Sequence, residues 1–174
     1  SIGAVATKTD FVASILFYAN TDRCQYFAPT YIKAADEGHD LIKFYAIDCD
    51  KLAENETDLE KLPACKPSNR DSLPLLSFFE PAPTPFDPKS GSFALPKEHY
   101  YQGEANAGDI VQFGKDLMPA FSKVVQTQQE LDKILADHTI PHKVLLFTSK
   151  DELPHMLKAI TSRFRDRLEV RLLS

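Results

Sequence analysis

The sequence is poor in cysteine, with only three in 174 residues, at positions 24, 49 and 65. Three cysteines permit at most one internal disulfide and leave at least one thiol over. The sequence also lacks any apolar run near the ~20 residues that cross a bilayer, and residues 1–20 lack the basic start and cleavage site of a signal peptide. We therefore expect no membrane contact within this chain, and any targeting segment to have been removed or never to have existed.

Clusters of basic residues are also missing. The chain has 20 Lys and Arg against 25 Asp and Glu, a net charge of −5, and no basic stretch interleaves with aromatic residues as a nucleic-acid groove would need. There is no glycine-rich phosphate loop, and the five histidines are scattered. His138 and His142 straddle a proline, which makes a poor metal pair, and Asp48 and Asp50 are typical of a solvated strand end. We expect no nucleic-acid partner, no metal and no cofactor.

What the sequence does contain is an alternation of strand-like and helix-like segments. The apolar run SILFYA (residues 14–19) predicts a strand covered on both faces, and the polar residues 20–22 after it are good helix N-caps. A helix is predicted from there to Gly38, with a kink at Pro29. Further strands are predicted at residues 41–47 and 73–79, separated by a polar helix or loop over residues 50–62. Residues 80–98 form a proline-rich insertion.

The pattern restarts after Pro119, which follows a predicted helix at residues 107–117. Thr127 and Glu130 are spaced as a capping box that opens a helix. A buried strand at residues 142–148, a helix at 151–165 and a strand from 168 predict an α/β unit with parallel strands. The predicted domains are therefore 1–119, with the insertion at 80–98, and 120–174 as a partial unit.

Three motifs in the first domain resemble the protein disulfide isomerase branch of the thioredoxin fold. FYA (17–19), a helix-opening cysteine and APTY (28–31) resemble that family's FYA, CxxC and APxY. PLLSFF (74–79) resembles its strand after a cis-proline, and YQG (101–103) its last strand. The resemblance covers residues 11–118 and implies a thioredoxin-like three-layer α/β sandwich with a mixed sheet.

Residues 120–174 resemble a second, truncated, non-catalytic thioredoxin-like domain, similar to the segment after a thioredoxin domain in some J-domain co-chaperones of the endoplasmic reticulum. The resemblance implies a protein-folding factor of the endoplasmic reticulum lumen. Its implied partners are unfolded client or partner polypeptides and a luminal chaperone. Asn55 begins a glycosylation sequon, which suits a secretory protein but arises often by chance.

The resemblance places Cys24 on the second cysteine of CxxC and Thr21 on the first. The connection from Tyr18 is one residue shorter than usual, and the family's tryptophan is absent. Threonine cannot form a disulfide, so the site cannot cycle between dithiol and disulfide. We expect Cys24 to be a packed, inert thiol. The alternative is a reactive thiol beside Arg23 at the helix N-terminus, which would make the protein a monothiol exchange enzyme.

The resemblance also implies a structural disulfide between Cys49 and Cys65. A Cys24–Cys49 pair and unpaired thiols in a reducing compartment remain alternatives. Pro74 is expected to be cis, which would leave the backbone of Leu73 as an edge that binds an extended peptide, or simply to lock a turn. The predicted function is a redox-inactive or weakly redox-active folding module that binds clients; an architectural spacer is the third alternative.

Overall fold

The computed structural model describes residues 11–52, 62–81, 97–120, 123–139, 142–149, 154–164 and 167–173. The chain divides into two compact units, Ser1–Leu117 and Met118–Ser174. Asn55 and most of the proline-rich residues 80–98 lie outside the described residues. No helix in the described ranges is long and apolar enough to cross a membrane.

The first unit is built on a four-stranded mixed sheet in the order β2-β1-β3-β4. β1 pairs with β2 in parallel and with β3 in antiparallel fashion, and β3 pairs antiparallel with β4. The strands are β1 (Val12–Tyr18), β2 (Ile42–Asp48), β3 (Leu75–Phe79) and β4 (Glu98–Tyr100), and the helices are α1 (Asp22–Gly38), the short α2 (Cys49–Leu52) and α3 (Ala107–Asp116). Two 3-10 turns, Pro63–Cys65 and Pro67–Ser72, precede β3.

β1 is an inner strand of the sheet, and its side chains alternate between two covered faces. On one face Ser14 meets the Tyr31 hydroxyl of α1 at 3.2 Å, and the neighbouring Phe78 stacks edge-on against Phe113 of α3 at 5.1 Å. On the other face Ile15 and Phe17 belong to a buried cluster that includes the cysteines. The prediction that this run is covered on both sides is confirmed, since Val12 to Phe17 are all buried.

Helix α1 begins and ends where the sequence predicts, and Pro29 lies inside it. Its buried residues are Cys24, Tyr31, Ala34 and Gly38. Ile32, an apolar residue at helical spacing from Cys24 and Ala28, is exposed. Apolar residues spaced three and four apart could place either of two neighbouring faces of α1 against the sheet. The hydrogen bond from the Tyr31 hydroxyl to the Tyr45 carbonyl selects the face that contains Tyr31.

The last strand of the first unit lies earlier than predicted. Its residues are Glu98–Tyr100, whereas residues 101–103 follow it. The chain stays against β3 for one further residue, because the Tyr101 N–H donates to the Leu76 carbonyl at 2.9 Å. The Tyr101 hydroxyl then donates to the Glu104 carbonyl at 2.8 Å, which holds the turn before α3.

The second unit has a parallel three-stranded sheet in the order β5-β7-β6. Its elements are β5 (Lys123–Val125), α4 (Gln128–Ala136), β6 (His142–Phe147), α5 (His155–Arg163) and β7 (Leu168–Leu173). Half of the predicted capping box forms, because the Glu130 N–H donates to Thr127 Oγ1 at 3.3 Å. Glu130 Oε2 accepts from the N–H of Gln126, one residue before the N-cap, at 3.0 Å.

The prediction that β6 is buried is wrong. Val144 is exposed, and Phe147 is 75% exposed. β6 is an edge strand of the described sheet, whereas β7 lies in the middle and buries Val170 and Leu172. An apolar run therefore identified the strand but not its place in the sheet.

Candidate functional site

Thr21 occupies the N-cap of α1, at the turn where the sequence predicts a former active site. Its backbone is extended (φ −131°, ψ 154°), and its Oγ1 accepts a hydrogen bond from the Cys24 N–H at 3.3 Å. Its carbonyl accepts from the Gln25 N–H at 3.0 Å. The hydroxyl therefore satisfies one of the free N–H groups that every helix start leaves, a structural role that needs no thiol.

Cys24 is a free thiol with only 4% of its surface exposed. Its sulfur accepts a weak hydrogen bond from the Ala19 N–H at 3.5 Å. The residue packs in one buried cluster with Ile15 and Phe17 of β1. An attacking thiol needs access to the disulfide of its client, so this burial opposes exchange with large substrates.

Cys49 and Cys65 form a disulfide with an S–S distance of 2.03 Å and a Cα–Cα distance of 5.0 Å. Cys49 opens α2 directly after β2, and Cys65 ends the first 3-10 turn. Both residues are buried in the same cluster as Cys24. Of the pairings that the sequence leaves open, the structure contains this one, and Cys24 stays unbonded.

Asp50 connects three segments around this cluster. Its Oδ2 accepts from the Asn20 N–H at 2.7 Å, and its Oδ1 forms an ion pair with the Arg70 guanidinium. The Asn20 N–H, followed by the Arg70 guanidinium, holds the pKa of Asp50 below its ordinary value. These partners come from positions 30 residues before Asp50 and 20 after it, where no local pattern reveals them.

The peptide bond between Leu73 and Pro74 is cis. Leu73 is only 3% exposed, and its N–H already donates to the Arg70 carbonyl at 3.2 Å. Arg23 reaches the same turn, where its Nη1 donates to the Asp71 carbonyl at 2.9 Å. The structure thus brings the start of α1 next to the proline turn, residues 70–74. The Leu73 N–H is already bonded within this turn, so it is not free to pair with a peptide as the sequence predicts.

Beside the buried thiol lies an open hollow of about 530 Å³. Its walls come from the end of β1, the first turns of α1 and the start of α2: Tyr18, Ala19, Asn20, Cys24, Gln25, Ala28, Asp48, Asp50 and Lys51. Tyr26, on the first turns of the same helix, is 82% exposed. Sequence patterns did not single out Tyr26. Within the described ranges no group of three or more His, Cys, Asp and Glu is placed to hold a metal ion.

The motif residue Tyr31 anchors α1 to the sheet. Its hydroxyl donates to the Tyr45 carbonyl at 2.8 Å and lies 3.2 Å from both Ser14 Oγ and the Ser14 carbonyl. Burial raises the pKa of Tyr31 to about 12, although its hydrogen bonds to Ser14 and Tyr45 act in the opposite direction. The tyrosine is therefore a neutral structural anchor and not an acid or base at physiological pH.

Comparisons with known proteins agree with this geometry, although no protein-family model matches the chain. The chain is 29% identical over 168 residues to a Dictyostelium discoideum protein provisionally named protein disulfide-isomerase, a match that covers 91% of this chain and 37% of that protein. It is 23% identical over 151 residues to a mitochondrial thioredoxin domain-containing protein of Schizosaccharomyces pombe, covering 86% and 38%. The chain thus spans less than two fifths of the length of these curated relatives.

Among solved structures, a crystal structure of ERdj5 (form II) matches with a TM-score of 0.54 at 18% identity, over 96% of this chain and 20% of that one. At this identity the likeness shows a shared fold. The fold and the names of the relatives agree with the motifs around Cys24. The chain therefore carries a protein disulfide isomerase-like thioredoxin domain, followed by a second α/β unit of thioredoxin-like type.

Proposed function

We propose that the chain is a polypeptide-binding module of a protein-folding factor that does not cycle between dithiol and disulfide. The observation that carries the proposal is the state of the two active-site positions: Thr21 caps the helix through its hydroxyl, and Cys24 is 4% exposed. Thr21 has no thiol, and the thiol of Cys24 is too buried for a large substrate to reach. The monothiol alternative is disfavoured by the same burial.

An insulin-reduction assay tests this proposal. While the Cys49–Cys65 disulfide is shown by peptide mapping to be intact, we expect the wild-type protein and the Cys24→Ser variant to give the same rate, at the level of the buffer control, because Cys24 takes no part. A rate that is above the control and falls on Cys24→Ser would establish the monothiol enzyme instead. A glutathione-disulfide exchange assay with the same pair covers small substrates.

The Thr21→Cys variant is the matched positive control, because it restores two thiols at the family's spacing. We expect it to form a disulfide between positions 21 and 24 and to gain insulin-reduction activity. Trypsin cleaves after Arg23, so the bridge would join peptide 9–23 to peptide 24–33 in a mass spectrum. Formation of this disulfide would establish that the fold holds positions 21 and 24 close enough to bond. A lack of activity in the wild-type protein could then be attributed to the missing thiol at position 21.

Binding of client or partner polypeptides is the second part of the proposal. It is supported by exposed groups that border the proline turn and the start of α1. Tyr26 is 82% exposed and lies one helical turn after Arg23, whose side chain contacts the turn at Asp71. An exposed aromatic ring offers a large contact area at low entropic cost, and tyrosine is frequent at binding hot spots.

Photo-crosslinking locates such binding. In one variant a photoreactive residue replaces the exposed Ser72, beside Leu73 and Pro74. In a control variant it replaces the exposed Asp36, near the end of α1. With unfolded polypeptides we expect crosslinks from position 72 and few from position 36, and we expect Tyr26→Ala to reduce them more than Tyr100→Ala, another exposed tyrosine. Equal crosslinking from both positions, or none, would favour an architectural spacer.

We also propose that the protein works in the endoplasmic reticulum lumen. The Cys49–Cys65 disulfide supports this, because such bonds persist in oxidising compartments and are rare in the cytosol. Rapid alkylation of intact cells, followed by peptide mapping, should find Cys49 and Cys65 blocked. Free thiols at both positions, or localisation of the tagged full-length protein to another compartment, would contradict the assignment.

A further inference from the structure

The three cysteines of the first unit share one buried cluster, although only two of them are bonded. Cys24, Cys49 and Cys65 pack there with Ile15, Phe17, Ala19 and Leu73. The Cys24 sulfur contacts the N–H of Ala19. Because Tyr18 pairs with Asp48 in the parallel β1–β2 ladder, the next residues, Ala19 and Cys49, leave the sheet side by side. The free thiol therefore sits against the segment that the disulfide fixes.

The segment that carries Cys49 also lines the open hollow beside Cys24, and the disulfide packs in the cluster that buries the thiol. The hollow beside Cys24 is walled in part by Asp48, Asp50 and Lys51, which flank Cys49. Asp50 holds this wall to the β1–α1 turn through the Asn20 N–H and to the second 3-10 turn through Arg70. The covalent tie between Cys49 and Cys65 spans the same two segments, since Asp50 follows Cys49 and Arg70 lies five residues after Cys65.

We infer that the Cys49–Cys65 disulfide is a redox lock on the Cys24 thiol. While the bond is intact, the cluster stays packed around Cys24, which is 4% exposed. When a dithiol reductant donates two electrons and two protons, the S–S bond breaks, Cys49 and Cys65 become thiols, and the reductant becomes a disulfide. The wall is then held by the ion pair and hydrogen bonds of Asp50, which open far more often than a covalent bond, and Cys24 is exposed by local opening.

This inference goes beyond the proposed function, because it concerns when the thiol is accessible and not what the module binds. The wild-type chain in its oxidised form keeps the properties proposed above. In a reducing environment the same chain presents Cys24 for mixed-disulfide formation, besides the two thiols that the reduction itself produces.

The test is alkylation of the full chain with N-ethylmaleimide, before and after reduction, read by tryptic peptide mapping. Trypsin places the three cysteines on separate peptides, 24–33, 44–51 and 62–70, so the Cys24 rate is measured alone. We expect reduction to accelerate Cys24 labelling by about tenfold or more. An unchanged Cys24 rate overturns the lock.

A reporter on the opposite sheet face separates local opening from unfolding. Ser14 is fully buried beneath α1, and the Ser14→Cys variant places a thiol there, on peptide 9–23. We expect reduction to accelerate Cys24 and leave the thiol at position 14 slow. Equal acceleration at both positions means that the bridge stabilises the whole unit and is no specific lock, which also overturns the inference.

Two further variants isolate the covalent tie. The double variant Cys49→Ala/Cys65→Ala, without reductant, should label at Cys24 as fast as the reduced wild-type protein. Asp50→Asn, with the bridge intact, should keep Cys24 slow. Fast labelling of Cys24 in Asp50→Asn would show that the Asp50–Arg70 ion pair, and not the disulfide, keeps the thiol buried, and it would overturn the inference. None of these rates depends on insulin reduction or client crosslinking, so failure here leaves the proposed function standing.

Discussion

The backbone N–H of Asn20 donates a hydrogen bond of 2.7 Å to the carboxylate of Asp50. This contact joins the turn that precedes Thr21 to the residue that follows Cys49. The second oxygen of Asp50 pairs with Arg70, in the turn that leads to Pro74. A single carboxylate thus fastens together the three loops that surround Cys24, which gives the site an acid-sensitive connection.

We expect Asp50→Asn to destabilise the first unit at neutral pH and to do so less at low pH. The pKa of Asp50 is held below its ordinary value of 3.8, so its contribution to the free energy of unfolding is fully present above that value and is lost as the pH falls through the lower folded value. Urea midpoints compared from neutral to strongly acidic pH should converge. Asp36→Asn, at an exposed residue of α1, is the control, and a pH-independent difference would contradict this account.

Tyrosine emission is a selective probe for these measurements. All six tyrosines lie between residues 18 and 101, and the chain has no tryptophan. Unfolding of the first unit can therefore be followed without a contribution from the second, which is necessary because two units need not unfold in one step.

Tyr31 should give the first unit an alkaline limit. Because its pKa is raised to about 12, the neutral side chain stabilises the fold fully below about pH 10, the ordinary value, and this contribution is lost as the pH rises towards 12. A shift of this size corresponds to roughly 2 to 3 kcal/mol. Circular dichroism during urea unfolding should show that loss in the wild-type protein and not in Tyr31→Phe, while exposed Tyr26→Phe should behave as wild type.

Thr21 should matter for stability although its side chain carries no thiol. Thr21→Ala removes the acceptor for the Cys24 N–H and should cost about 1 kcal/mol, whereas Thr21→Ser keeps the oxygen and should cost far less. Urea unfolding followed by tyrosine emission measures both. Equal loss in the two variants would mean that the threonine methyl group, and not the cap, carries the effect.

Much of the fold is predictable from the sequence because its signals are local. The polar residues between SILFYA and the next apolar residues locate the start of α1, and the spacing of Thr127 and Glu130 locates α4. Both depend on contacts within four residues. The order of strands in the second sheet depends on distant pairings, and β6 was therefore expected to be buried although it lies at an edge.

The candidate site shows the same division. The motif resemblance predicts roles for Thr21 and Cys24 from one short stretch of chain, and the structure places Thr21 at the N-cap of α1 and Cys24 in its first turn. The connection of Asp50 to Asn20 and Arg70, and the use of the Leu73 N–H by Arg70, arise from long or irregular segments that carry no periodic pattern. The exposure of Tyr26 has the same origin, since helical spacing alone does not decide which side chains another element covers.

Gly114 of α3 provides a final prediction about how helix and sheet fit together. A Cβ atom built there would overlap the Cδ1 atom of Ile42 and lie 2.9 Å from Cε1 of Phe78, and both of these side chains are fully buried. Gly114→Val should therefore destabilise the first unit by about 2 to 3 kcal/mol, because the helix must move away from the sheet.

The control for Gly114→Val is Gln112→Val, which introduces the same β-branched side chain at an exposed position of α3. It loses only a surface hydrogen bond to Asp116, so we expect about 0.5 kcal/mol or less. Urea unfolding followed by tyrosine emission compares the two. If Gly114→Val is no worse than Gln112→Val, then α3 does not approach β2 and β3 as closely as the structure has it, and the face of the sheet that positions Tyr31 would need a different packing.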